Sequence, residues 1–132
     1  MKVTRWAMLS AAIVFALLVV GCGKSVAGTS STSSSGGGNT ISMTTDNFVQ
    51  HTLTVKAGTT VHFSDTNGGF HQICLGTNMK CDPAATGPSE LEGSGFSINP
   101  PQVKDIVFST PGTYQITCSV HPNMDVTVTV TP

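Results

Sequence analysis

The sequence predicts an all-β fold, an antiparallel sandwich or barrel of about seven to eight short strands. Three observations carry that prediction. Apolar residues recur at every second position in several short runs, the spacing that buries one face of a pleated strand and wets the other. Turn-forming residues fall between those runs, at Ala57-Gly58, Asn67-Gly68-Gly69 and Pro111-Gly112. The composition agrees, with six Phe, many Val and Thr, and frequent Gly and Pro.

A chain of 132 residues has room for one ordinary domain, and its first part does not read as domain. Lys2 and Arg5 precede a mostly apolar run from Ala7 to Val20, a basic region followed by an apolar one of secretory length. As a helix this run would span only about 21 Å, short of the roughly 30 Å hydrocarbon core. It closes on Val19-Val20-Gly21-Cys22, small residues ahead of a cysteine. Residues 1–21 resemble a bacterial lipoprotein signal. The resemblance implies that Cys22 receives the lipid and becomes the first mature residue. A plain signal peptide or short anchor with an incidental cysteine is the alternative. Residues 22–39 then form a linker, because Lys24 to Asn39 is a Ser/Thr/Gly tract with almost nothing apolar to bury. Such a tract is a flexible coil with an r.m.s. reach of about 20 to 24 Å.

The folded domain is expected over residues 40–132, with strands near 40–45, 52–56, 59–65, 70–75, 103–109, 113–118 and 125–131. Leu53 and Val55 alternate with Thr52, Thr54 and Lys56; Val61 and Phe63 alternate with Thr60, His62 and Ser64. Tyr114, Ile116 and Cys118 alternate with Gln115 and Thr117, and Val126, Val128 and Val130 are separated by Thr127 and Thr129. From Leu75 to Pro101 the rhythm breaks over a stretch with four prolines, which reads as a long loop.

Charged residues make up only 10% of the chain, and the formal net charge is −1. Without the first 21 residues, four lysines stand against seven acids, a net −3. A nucleic-acid partner is not expected, since it calls for a basic face. No enzyme is expected either: neither a nucleophile beside its base, nor a paired-carboxylate motif, nor a phosphate loop is recognisable.

The sharpest feature is Cys118-Ser119-Val120-His121-Pro122-Asn123-Met124, a loop between two alternating strands. By the same alternation Cys118 points inward with Tyr114 and Ile116. A thiolate, an imidazole and a thioether in seven residues are a soft ligand set suited to copper. A His₂Cys plane with a weak axial Met needs one more histidine. His51, beside a strand start, and His62, on a polar phase, read as surface residues. His71 follows a turn at the start of a strand, where its side chain can reach the end of a sandwich, and is the best remaining ligand.

From about Thr40 to Pro132 the chain resembles the cupredoxins, the plastocyanin-like small blue copper proteins. The resemblance rests on Gly58-Thr59-Thr60-Val61-His62-Phe63, then His71, then Pro111-Gly112-Thr113-Tyr114 running into Cys118, His121 and Met124. The Cys-x2-His-x2-Met spacing is similar to the ligand loop of amicyanins. The resemblance implies a Greek-key β-sandwich with one type 1 copper at one end, cycling between Cu(II) and Cu(I). It implies His71, Cys118 and His121 as the equatorial ligands and Met124 as the axial one, with His121 and Pro122 at the electron port. Two departures stand out. Many members carry Asn after the first ligand His and use it to tie the ligand loops together, where this chain has Gln72. The stretch after His71 also contains Cys74 and Cys81, which are not part of the family pattern.

With Cys22 lipidated and Cys118 on copper, Cys74 and Cys81 remain, and outside the cytoplasm they are expected to form a disulfide. A second metal site that includes Met79 is the alternative. The expected function is single-electron transfer between membrane redox proteins by a lipid-anchored monomer. Its place is the cell membrane, on the extracytoplasmic (periplasmic or cell-surface) side. The competing reading is copper binding for delivery or storage, for which Met43, Met79, Cys74 and Cys81 are the candidate extra ligands.

Overall fold

The computed structural model describes residues 38–132. The signal segment, Cys22 and all but the last two residues of the linker lie outside the described residues. Nine strands follow in order: β1 (Thr40–Met43), β2 (Thr52–Lys56), β3 (Thr59–Asp65), β4 (His71–Thr77), β5 (Lys80–Cys81), β6 (Phe96–Ile98), β7 (Gln102–Phe108), β8 (Gly112–Cys118) and β9 (Asp125–Thr131). Among the described residues no helix is long and apolar enough to cross a membrane.

The strands form two sheets. One has the order β1-β3-β7; in the other, β2-β9-β8-β4 is extended by β5 and β6, both paired with β4. The inward phase of each strand supplies the core. Ile41, Val61, Phe63, Ile106 and Phe108 come from the smaller sheet, and Ile73, Tyr114, Ile116, Val126 and Val128 from the larger. The alternation in β9, with Val126, Val128 and Val130 buried and the threonines between them half-buried, is the pattern expected of a strand wet on one side.

The sheets are mixed rather than purely antiparallel. β1 pairs in parallel with β3, and β2 in parallel with β9. The cause is the turn at Ala57-Gly58, which is a corner between sheets and not a hairpin. Ala57 N–H donates to the Thr131 carbonyl of one sheet, and Gly58 N–H to the Phe108 carbonyl of the other. Gly58 has φ of +86°, a left-handed conformation that glycine adopts without penalty. Because β2 crosses over, β3 returns to the first sheet running alongside β1.

The stretch from Leu75 to Pro101 is more ordered than a loop. It contains the end of β4, β5, β6 and a single 3-10 turn over Ser89–Leu91. β4 and β5 form a tight hairpin through Asn78 and Met79, both at positive φ (51° and 66°). Two-residue hairpin turns require that handedness, but normally with Gly at the second position. Across the base of this hairpin Cys74 and Cys81 form a disulfide, with Cα atoms 5.6 Å apart.

Candidate metal centre

The site is built where β3, β4 and the β8–β9 loop meet. Asp65 ends β3 and His71 begins β4. Between them, Asp65 Oδ1 accepts the backbone N–H of Gly68 at 2.8 Å and closes the turn. Only glycine fits there, because a Cβ at Gly68 would lie 2.6 Å from both Asp65 Oδ1 and the Thr44 carbonyl oxygen. On the other side, Cys118 ends β8 and Asp125 begins β9. The loop between them is closed by the Cys118 N–H donating to the Met124 carbonyl at 2.9 Å. Asn123, at φ 61°, supplies the left-handed residue that this reversal needs.

These turns bring His71, Cys118 and His121 together, with their donor atoms all within 4.8 Å of one another. The two Nδ1 atoms are 3.2 Å apart, and Cys118 Sγ lies 3.8 Å from His71 Nδ1 and 3.5 Å from His121 Nδ1. Three donors around one first-row metal ion, with bonds of about 2.0–2.3 Å, are separated by about 3.5–3.8 Å in a planar arrangement. The cluster therefore fits a single ion, and imidazole with thiolate is a donor set that suits copper. Met124 is wholly buried at the end of the same loop. His51 and His62 stay apart from the cluster: His51 Nδ1 lies 3.3 Å from the Asp125 carbonyl, and His62 pairs with Asp105 at 2.6 Å.

His71 is wholly buried and His121 partly exposed. Burial pushes the His71 imidazole below its ordinary pKa of 6.5; the Asp65 charge opposes that shift, His121 reinforces it, and the Thr44 backbone opposes it. The ring is thus neutral at pH 7, as a metal ligand must be. The residues preceding the two histidines are exposed and apolar, Phe70 at 48% and Val120 at 42%, and Pro122 is exposed as well.

Gln72 does not tie the ligand loops through its side chain. Its Nε2 donates to the Ser94 carbonyl at 2.6 Å. Its backbone carbonyl instead accepts the N–H of Ser119 at 2.8 Å, and that bond joins the start of β4 to the ligand loop. Two further contributors escaped the reading of the sequence. Thr117 falls on the outward phase, yet it is wholly buried and accepts the Met79 N–H at 3.1 Å. Asp65 is also wholly buried; its signal was present, since it shares the inward phase of Val61 and Phe63.

A two-sheet β-sandwich carrying a His₂Cys cluster at the end of its strands defines a small copper-binding protein. Residues 34–131 match the family described as copper binding proteins of the plastocyanin/azurin family, and the chain belongs to that family. No curated protein sequence matches it. Among solved structures it is similar to a reduced amicyanin point mutant, with 21% identity and a TM-score of 0.55 over 72% of this chain and 83% of that one. It is also similar to the amicyanin of Paracoccus versutus (Thiobacillus versutus), with 20% identity and a TM-score of 0.53 over 70% and 79%. At that identity the likeness supports the fold.

Proposed function

We propose that the protein is a membrane-tethered electron carrier that holds one copper ion between His71, Cys118 and His121, with Met124 as the weak axial ligand. The observation that carries this reading is the convergence of those three donors at separations that fit a single ion. A bound copper supplies a one-electron couple. The chain's part is to hold the ligands still in both redox states. The Cys118–Met124, Ser119–Gln72 and Asp65–Gly68 hydrogen bonds each pin a segment that carries a ligand. That amicyanins are solved in both oxidised and reduced states supports a site that cycles.

His121, partly exposed beside Val120 and Pro122, is the exit for the electron, while His71 is sealed inside. The partners on this reading are membrane redox proteins, one donor and one acceptor. A lipid on Cys22 holds the monomer at the extracytoplasmic face of the cell membrane. We read it as a carrier and not an enzyme. Of the candidate extra ligands for delivery or storage, Cys74 and Cys81 are bonded to each other and Met43 is buried, which leaves Met79 alone exposed.

The test is a visible absorption spectrum of the purified chain with Cu(II), followed by ascorbate. An intense band that bleaches on reduction and returns on oxidation is the expected result. Copper bound without a thiolate band would move the assignment to delivery or storage.

A further inference from the structure

Two buried polar atoms at the metal centre have no partner at hydrogen-bond distance, Nε2 of His71 and Oδ2 of Asp65, and the Thr44 backbone is the other acceptor beside the His71 ring. Nε2 and Oδ2 face each other at 3.8 Å, and both side chains are completely shielded from solvent. An unsatisfied buried polar group is costly, and more so if it is charged. One hydrogen bond between these atoms would relieve both. A carboxylate can only accept, so the proton must come from Nε2. The other ring nitrogen, Nδ1, is the one that faces Cys118 Sγ and His121 Nδ1. A proton on Nε2 leaves that lone pair free to bind an ion.

We propose that Asp65 is a positioning residue for the metal centre. Its Oδ2 holds His71 in the tautomer protonated on Nε2, and its negative charge behind the imidazole favours the more highly charged Cu(II) over Cu(I). The assignment rests on the reading of His71 as a copper ligand and gives that ligand its orienting partner. Carboxylates behind metal-bound histidines act in this way, aligning the ring and raising its basicity. Asp65 uses both oxygens, since Oδ1 already accepts the Gly68 N–H. One side chain thus sets the turn that leads to His71 and the ring that ends it. Asp105, which pairs with the half-exposed His62 and is not part of the cluster, provides an exposed Asp–His pair as the control.

The test has two arms. In the first, histidine-labelled, copper-free full-length protein is examined by nitrogen NMR at pH 7.5. Protonation of His71 at Nε2, reversed or weakened in Asp65→Asn, is expected; a ring protonated at Nδ1 in the wild type overturns the proposal. In the second, Cu(II) and Cu(I) affinities and the midpoint potential are measured for wild type, Asp65→Asn and Asp105→Asn. Asp65→Asn should lose about 10- to 100-fold in Cu(II) affinity. If its Cu(I) affinity falls tenfold less, the potential rises by about 59 mV. Asp105→Asn should change neither. A folded Asp65→Asn protein with unaltered affinity and potential also overturns the proposal. If the variant does not fold, Asp65→Glu takes its place in both arms, and an unaltered tautomer, affinity and potential there overturn the proposal. If the wild type shows no copper–thiolate band, the proposed function fails, and the His71 tautomer still decides the role of Asp65.

Discussion

The backbone N–H of Met79 donates to the hydroxyl of Thr117 at 3.1 Å, which ties the tip of the β4–β5 hairpin to the strand that ends in Cys118. Beside it, the Asn78 N–H donates to Asp125 Oδ1 at 3.0 Å, at the start of the strand that leaves the ligand loop. The hairpin therefore grips the chain on both sides of the Cys118–Met124 segment. These bonds also offset the unfavourable left-handed conformation of Met79. Replacing Thr117 with Val keeps the volume and removes the acceptor. Stability should fall by about 1–3 kcal/mol, the usual penalty for a stranded donor. Urea unfolding of the two proteins measures it; equal midpoints would mean that the tip is held without Thr117.

The disulfide between Cys74 and Cys81 closes the same hairpin across a separation of seven residues. Cross-linking a loop of this size is worth about 2.5 kcal/mol in the chain-entropy description. The double variant Cys74→Ala/Cys81→Ala should unfold at correspondingly lower denaturant. It should still fold, because the core of the sandwich lies elsewhere. A loss of less than about 1 kcal/mol would show that the Asn78 and Met79 hydrogen bonds hold the hairpin alone.

Cys118 and Met124 should separate cleanly in the visible spectrum. Cys118→Ser removes the thiolate and should abolish strong colour while leaving a folded sandwich by far-UV circular dichroism. Met124→Leu is close to volume-conserving and should retain colour with an altered potential. A fully coloured Cys118→Ser protein would sink the ligand assignment.

The buried His71 makes the copper-free protein sensitive to acid. Its folded-state pKa lies below the ordinary 6.5, with burial the main cause. The unfolded chain therefore binds the proton more readily. The stability this supplies is present above pH 6.5 and is lost as the pH falls through the lower folded value. Urea midpoints measured from pH 7.5 down to 5 should decline, and the decline should flatten in His71→Gln. Parallel curves for the two proteins would place the acid sensitivity in another group.

The sequence by itself determined the period-two strands, the turns at Ala57-Gly58 and Pro111-Gly112, and the ligand loop. Alternation and turn chemistry are local, so β2, β3 and β9 were legible to the residue. The Cys118-x2-His121-x2-Met124 spacing was equally local, and His71 was reached from its place after a turn at the start of a strand. Tertiary structure decided what depends on partners distant along the chain. It made the corner at Gly58 a crossing between sheets, so that β1 and β3 run parallel. It buried Thr117 on a face that alternation had marked as wet, because a hairpin from 38 residues away folds over it. It also placed the Asp65 carboxylate behind His71. A charge on an inward phase is a local signal; which buried group answers it depends on how the sheets pack.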